Sequence, residues 1–334
     1  MGALVRGVDG RSGHHHYIVT EDLYPLMRDW AKPWGFVVPN QRWFAHNHSL
    51  LRQHLEESLT SRDRVVIVDS LPYFYVLEEL QQLVYRLHAH LDIEVGCVIS
   101  LDRVYGLEMN CPHFLLEVNR LTDLNTKEVS HRSRPNIESI EKQIGQIIKE
   151  MVSYHVIVVD DGIWTGDSMR WILQRLQEHS LKVEAVVVGV HIKQPGHAVD
   201  FGIKTGRVQA VQTYTDTRPV LDWVCERDFF IGVPLGGRTI TGYESLPGIQ
   251  NWQSVGACYS SQADWLRDWA SINGDSESFM RFCLERSAAL FTEIENLSHT
   301  PVILRHLARL PLQVINGNVS LETPVCEYLR NSLT

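Results

Sequence analysis

What the chain lacks narrows it first. Its six cysteines (97, 111, 225, 258, 283 and 326) form no Cys-x-x-Cys pair. That spacing speaks against zinc sites and disulfide frameworks and for reduced thiols in a cytoplasmic protein. No apolar stretch approaches the ~20 residues of a membrane span, and the N-terminus carries no apolar signal core. The expected protein is therefore cytoplasmic, without membrane contact. No Gly-Lys-Ser or Gly-Lys-Thr occurs, which removes a P-loop. No repeat with a period of about twenty to fifty residues is visible. Basic residues are outnumbered, 31 Lys and Arg against 40 Asp and Glu, for a net charge of −9. A broad nucleic-acid footprint would need the opposite balance.

What is present is ordinary globular composition: 334 residues, 44% hydrophobic and 21% charged, enough for one large or two modest domains. Against that background one run stands out, Val156-Ile-Val-Val-Asp-Asp-Gly-Ile-Trp-Thr-Gly-Asp-Ser168. Four β-branched residues predict a strand buried on both faces. Asp160 and Asp161 stand at its C-terminal end. A short loop with Gly162 and Gly166 follows, then Thr165, Asp167 and Ser168, residue types that cap helices. Met169, Ile172, Leu173 and Leu176 repeat at i, i+3, i+4 and i+7, the apolar face of a helix.

This order suits a sugar phosphate. Backbone N–H groups at a helix N-terminus favour an anion over Trp164–Ser168. Two carboxylates next to a phosphate must face something else, and ribose offers two hydroxyl donors. They would also favour positive charge developing on the ring. A haloacid-type phosphatase would need Asp-x-Asp-Gly-Thr, and Val159 occupies the first acid position. The plain alternative is a strand-to-helix turn of some other α/β protein, with Asp and Thr present only as caps.

The run resembles the phosphoribosyl pyrophosphate (PRPP) motif of the type I phosphoribosyltransferases, an apolar strand, two acids, two small or apolar residues, one variable residue and Thr-Gly-x-Ser/Thr. The resemblance implies a doubly wound parallel α/β sheet. It gives Asp160 and Asp161 the ribose hydroxyls and Trp164, Thr165, Gly166, Asp167 and Ser168 the 5′-phosphate.

The remaining pattern fits βαβ units. Val65–Asp69 and Ile93–Leu101 read as strands flanking a helix from Phe74 to His90, and Val183–Ile192 as another strand. From Asp102 to Asn136 the pattern dissolves into charged residues, with Phe114–Val118 as a strand candidate. Ile137–Met151 reads as a helix. The first sixty residues mix Trp, His and Pro with helical pieces and read as a cover, 1–60. The core spans 61–245, and apolar residues at helical spacing predict a helical C-terminal extension over 246–334. His14–His16 is a short tract matching no metal-ligand pattern.

In layout the likeness is greatest to the 6-oxopurine (hypoxanthine-guanine) branch. That likeness puts Ser70 in the pyrophosphate loop and Arg103, Tyr105, Lys127 or Arg132 on a mobile catalytic loop. It gives Lys193, Phe229 and Phe230 to the base, with Trp223 as a further stacking candidate. It implies Mg²⁺–PRPP and a nitrogenous base as substrates, release of pyrophosphate, and a homodimer or larger assembly through the C-terminal helices. Four positions depart from the family. Asp69 and Ser70 stand where a basic, glycine-containing loop is usual, Trp164 replaces an acid that would act on the purine, and Asp167 replaces a small or amide residue. Two other functions stay open: a PRPP or nucleotide sensor without turnover, and an effector that cleaves an N-glycosidic bond.

Overall fold

The computed structural model describes residues 14–333 except 60–64, 92–96, 107, 112, 124–125, 127, 135–136, 194–200, 202, 204–206, 234–237, 242–254, 257–262, 311–313 and 315–318. In chain order its principal elements are β1 (His15–Glu21), α1 (Leu23–Ala31), α2 (Gln41–Leu59), β2 (Val66–Pro72), α3 (Tyr73–His90), β3 (Cys97–Ser100), α4 (Arg103–Gly106), β4 (His113–Leu115), β5 (Val118–Asp123) and β6 (Val129–Ser133). They continue with α5 (Ile140–Glu150), β7 (His155–Ile163), α6 (Asp167–Glu178), β8 (Lys182–Ile192), β9 (Val208–Tyr214) and β10 (Val220–Cys225). Helices α7 (Ala263–Trp269), α8 (Ser276–Ser298) and α9 (Val325–Asn331) follow. Among the described residues no helix is long and apolar enough to cross a membrane.

These elements form two compact units, and neither is contiguous. One contains residues 1–71, 121–129 and 220–334; the other contains 72–120 and 130–219.

The second unit is the expected doubly wound sheet. Five strands pair in the order β4-β3-β7-β8-β9, all parallel. Val156–Val159 are fully buried because both faces of the central strand are covered. Cys97, Ile99, Val156, Val158, Val186 and Val188 pack on one face against Ile140, Ile144 and Ile147 of α5 and Ile172 and Leu176 of α6. Helix α3 lies against β8 and β9 with Leu77, Leu80, Val84 and Leu87 buried. Ser139 caps α5, its hydroxyl accepting the Lys142 N–H.

The first unit joins the N-terminal segment to the C-terminal helices. Strands pair in the order β10-β1-β2, with β1 and β10 parallel. One core unites Tyr17, Leu23, Met27, Leu51 and Leu55 with Phe279, Leu290, Phe291 and Ile294 of α8. The Tyr17 hydroxyl donates to the Ala270 carbonyl at 2.7 Å. A buried ionic web fixes the turn after β10. Arg227 pairs with Asp22 at 3.2 Å, and Arg309 bonds Asp228 Oδ1 and the carbonyls of Arg227, Phe230 and Val233.

Two expectations change here. The division 1–60, 61–245 and 246–334 does not match these units, since the N-terminal segment shares its core with α8 and α9. The strand ending at Asp69 pairs with β1, outside the five-stranded sheet, so β2-α3-β3 is not a βαβ unit of one sheet. Apolar runs of similar length carry no information about which strand they will pair with.

Candidate functional site

The acidic pair sits at the centre of the five-stranded sheet, at the carboxyl end of β7. The strand runs further than the β-branched residues alone predict: Asp160 pairs with Val188, Gly162 with Val190 and Ile163 with His191. The loop to α6 is therefore only Trp164, Thr165 and Gly166. Gly166 holds the left-handed conformation, φ 76°, as the N-cap of α6, and the first helix amide, Asp167 N–H, donates to Thr165 Oγ1 at 3.4 Å. A side chain there would cost about 1–2 kcal/mol, so glycine is the residue that makes this turn tight.

Asp160 and Asp161 are half-buried. The Asp161 N–H donates to Asp160 Oδ1 at 2.9 Å. Burial, then the neighbouring Asp161 and Asp102 charges, hold the Asp160 carboxyl well above the ordinary range. Asp102 is the third acid, buried directly after β3, where its Oδ1 accepts the Tyr105 N–H at 2.9 Å. Three acidic side chains near the carboxyl ends of two adjacent strands make a floor that favours hydroxyl donors.

The α6 end is lined with donors and hydroxyls. Thr165 Oγ1 donates to Asp167 Oδ2 at 2.8 Å, and Arg170 bonds both Asp167 (3.1 Å) and the Thr165 carbonyl (3.2 Å). Arg170 thus offsets the acid at position 167, which a phosphate would otherwise meet unscreened. Ser168 Oγ lies 2.9 Å from Nε2 of His131 on β6, whose ring stacks on Trp171 at 5.5 Å. Burial and then Arg120 lower the His131 pKa.

The other anticipated residues fall in several places. Arg103 and Tyr105 lie in α4, where a patternless mobile loop was expected. Tyr105 is buried and stacked on Tyr73 at 5.5 Å, which removes it from any role in neutralising a leaving group. Arg132 is exposed on β6, and Lys127 lies outside the described residues. Lys193 is exposed just past β8, its N–H donating to the Tyr214 carbonyl. Phe229 and Phe230 are 0% and 2% exposed in the core of the first unit, where Phe229 meets Phe279 edge-on at 5.5 Å. Neither ring offers a face to a base, so they are core aromatics in place of the stacking residues expected. Trp223 donates its Nε1–H to Thr20 Oγ1 at 3.0 Å in the same unit. Ser70, also there, is held by His48.

Three contributors were missed by sequence reasoning. Asp102 carried the signal that marked Asp160, an acid closing an apolar strand. Gly189 carried another, a lone glycine within a valine-rich strand. His131 had none, because its partner Ser168 is 37 residues away.

No family model matches the chain, and no curated protein matches it. Among solved structures it is similar to a hypothetical protein from Neisseria gonorrhoeae with bound ppGpp, at 13% identity over 45% of this chain and 82% of that one, TM-score 0.29. It is similar to a purine phosphoribosyltransferase from Pyrococcus horikoshii Ot3, at 10% identity over 46% and 90%, TM-score 0.29. A third is an adenine phosphoribosyltransferase from Leishmania tarentolae, at 15% identity over 42% and 70%, TM-score 0.26.

Proposed function

We propose that the second unit binds the ribose-5-phosphate part of PRPP and transfers phosphoribosyl to a nitrogenous base with release of pyrophosphate, in the manner of a type I phosphoribosyltransferase. The observation that carries this reading is the acid pair near the carboxyl end of the central strand, with Asp161 five residues before Gly166, which opens the N-terminus of α6. Carboxylates take the 2′- and 3′-hydroxyls, and the amides of 166–168 with Thr165 and Ser168 take the 5′-phosphate. Catalysis is positioning and electrostatics: the base nitrogen attacks C1′ as pyrophosphate departs, and Asp160 and Asp161 favour the positive charge that builds on the ring. Among the described residues no group of three or more acids, histidines and cysteines could by itself hold a metal ion, so Mg²⁺ would be held mainly by substrate oxygens and water beside Asp160 and Asp161. When bound, the ion would offset the charge of the diphosphate.

Trp164, standing where the family carries an acid that would act on the purine, favours a second reading, a PRPP or nucleotide sensor without turnover. A panel of purine and pyrimidine bases, assayed for pyrophosphate release with Mg²⁺–PRPP, separates the two. Release that depends on one base supports transfer. PRPP binding with no release from any base supports the sensor.

A further inference from the structure

The first unit contains a constellation that the ribose-phosphate reading does not use. His48, on α2, lies with Nε2 2.8 Å from the Ser70 hydroxyl of β2. Its other ring nitrogen, Nδ1, faces Glu226 Oε1 at 3.5 Å. The imidazole and the glutamate are buried, with side chains 7% and 3% exposed, whereas Ser70 is half-buried. Three segments remote in sequence converge to place a hydroxyl and a carboxylate at opposite nitrogens of one imidazole. That is the arrangement that activates a serine: a base within reach of the hydroxyl and a third group orienting the base.

Two details separate this from ordinary polar packing. Nδ1 of His48 and Oε1 of Glu226 are both buried with no hydrogen-bond partner among the described residues, so a structural bracket would leave its own central contact unmade. Catalytic contacts are often long without substrate and tighten on binding. The carboxylate is also held from behind. The turn Glu226–Phe229 is locked by Arg227 on Asp22 and by Arg309 on Asp228, so Glu226 has little freedom to move off the ring. Glu21 Oε1, 3.3 Å from Nε2, adds negative potential that favours an imidazolium. Burial works to lower the His48 pKa, but Glu226 and then Glu21 outweigh burial and opposing Arg52, and the net shift is upward.

We infer that Ser70, His48 and Glu226 form a nucleophilic site that cleaves carboxylic esters by acyl transfer to Ser70. The Ser70 oxygen bonds to the ester carbonyl carbon while its proton passes to His48 Nε2. The carbonyl–alkoxy bond breaks, and the departing alkoxide takes that proton as the alcohol. Water then attacks the acyl-serine, giving the proton back through His48, and the carboxylic acid leaves with Ser70 restored. Glu226 holds the Nδ1 proton throughout.

The test uses the full chain and a fluorophosphonate, which phosphonylates activated serines, with the adduct mapped by mass spectrometry. We expect one adduct at Ser70, absent in Ser70→Ala. The rate should fall about 10²-fold or more in His48→Gln, the usual contribution of a general base. In the wild type the rate should rise with pH as His48 loses its proton and then level off, a readout that needs no variant to fold. Turnover of p-nitrophenyl acetate should follow the same pH profile. No adduct at Ser70 in the folded wild type, or a rate indifferent to pH, overturns the inference. So does labelling of a folded His48→Gln variant at the wild-type rate. None of these outcomes bears on PRPP binding, which rests on other residues.

Discussion

His131 Nε2 lies 2.9 Å from the Ser168 hydroxyl while its ring stacks on Trp171. One imidazole thereby ties β6 to the first turn of α6, the turn assigned to the phosphate. His131→Ala removes a hydrogen bond and an aromatic contact, each worth about 1 kcal/mol. We expect a loss of roughly 1–2 kcal/mol in urea unfolding and about tenfold weaker binding of ribose 5-phosphate, 1.4 kcal/mol being a factor of ten. Unchanged affinity in the folded variant would mean that β6 plays no part in shaping the loop.

The acid crowding at Asp160 sets a pH dependence whose sign is fixed. Its carboxyl pKa is raised from 3.8 by burial and then by Asp161 and Asp102, so the folded state holds this proton more tightly than the unfolded state. Its contribution to stability is intact below the unfolded value and is lost as pH rises through the folded value. Asparagine carries no charge to bury. The melting temperature of Asp160→Asn should therefore exceed that of the wild type, by a margin that widens between pH 5 and pH 8. Each tenfold gain in proton affinity on folding corresponds to about 1.4 kcal/mol. A margin that narrows over this range would show that Asp160 is not held protonated by its surroundings.

Gly189 on β8 lies behind the acid pair. A Cβ there would stand 2.7 Å from the Asp161 carbonyl oxygen and 3.0 Å from Val76 Cγ1. Backbone cannot yield as a flexible side chain does, so Gly189→Ala should push β7 and β8 apart where Asp161 is held. The cost expected of such overpacking is about 1–3 kcal/mol, with weaker ribose-phosphate binding. Thermal melts and calorimetry on the same preparation check both, and retention of full affinity would detach Asp161 from the binding function.

Much of the second unit was legible because its signals are local. The branched run at 156–159, the apolar stripe of α6 and that of α3 each determine their own element and their buried face. What could not be read is what depends on long-range pairing. Nothing in Val66–Asp69 says that it will join β1 and β10, and nothing in Phe229–Phe230 distinguishes a stacking face from a core. The stretch 102–136 looked patternless because its strands are short and partly exposed. The first unit was the least legible, since its core joins the two ends of the chain.

The measurement that bears most directly on the ribose-phosphate site is calorimetric titration of Mg²⁺–PRPP into the wild type and into Asp160→Asn/Asp161→Asn. Asparagine keeps the shape of each side chain and removes the ionisable carboxyl group, and the double variant should fold at least as well as the wild type above pH 7. We expect saturable binding to the wild type and a loss of at least a hundredfold, about 2.7 kcal/mol, in the variant. Equal binding by both proteins, or none by a folded wild type, would contradict the assignment of the acid pair to a ribose.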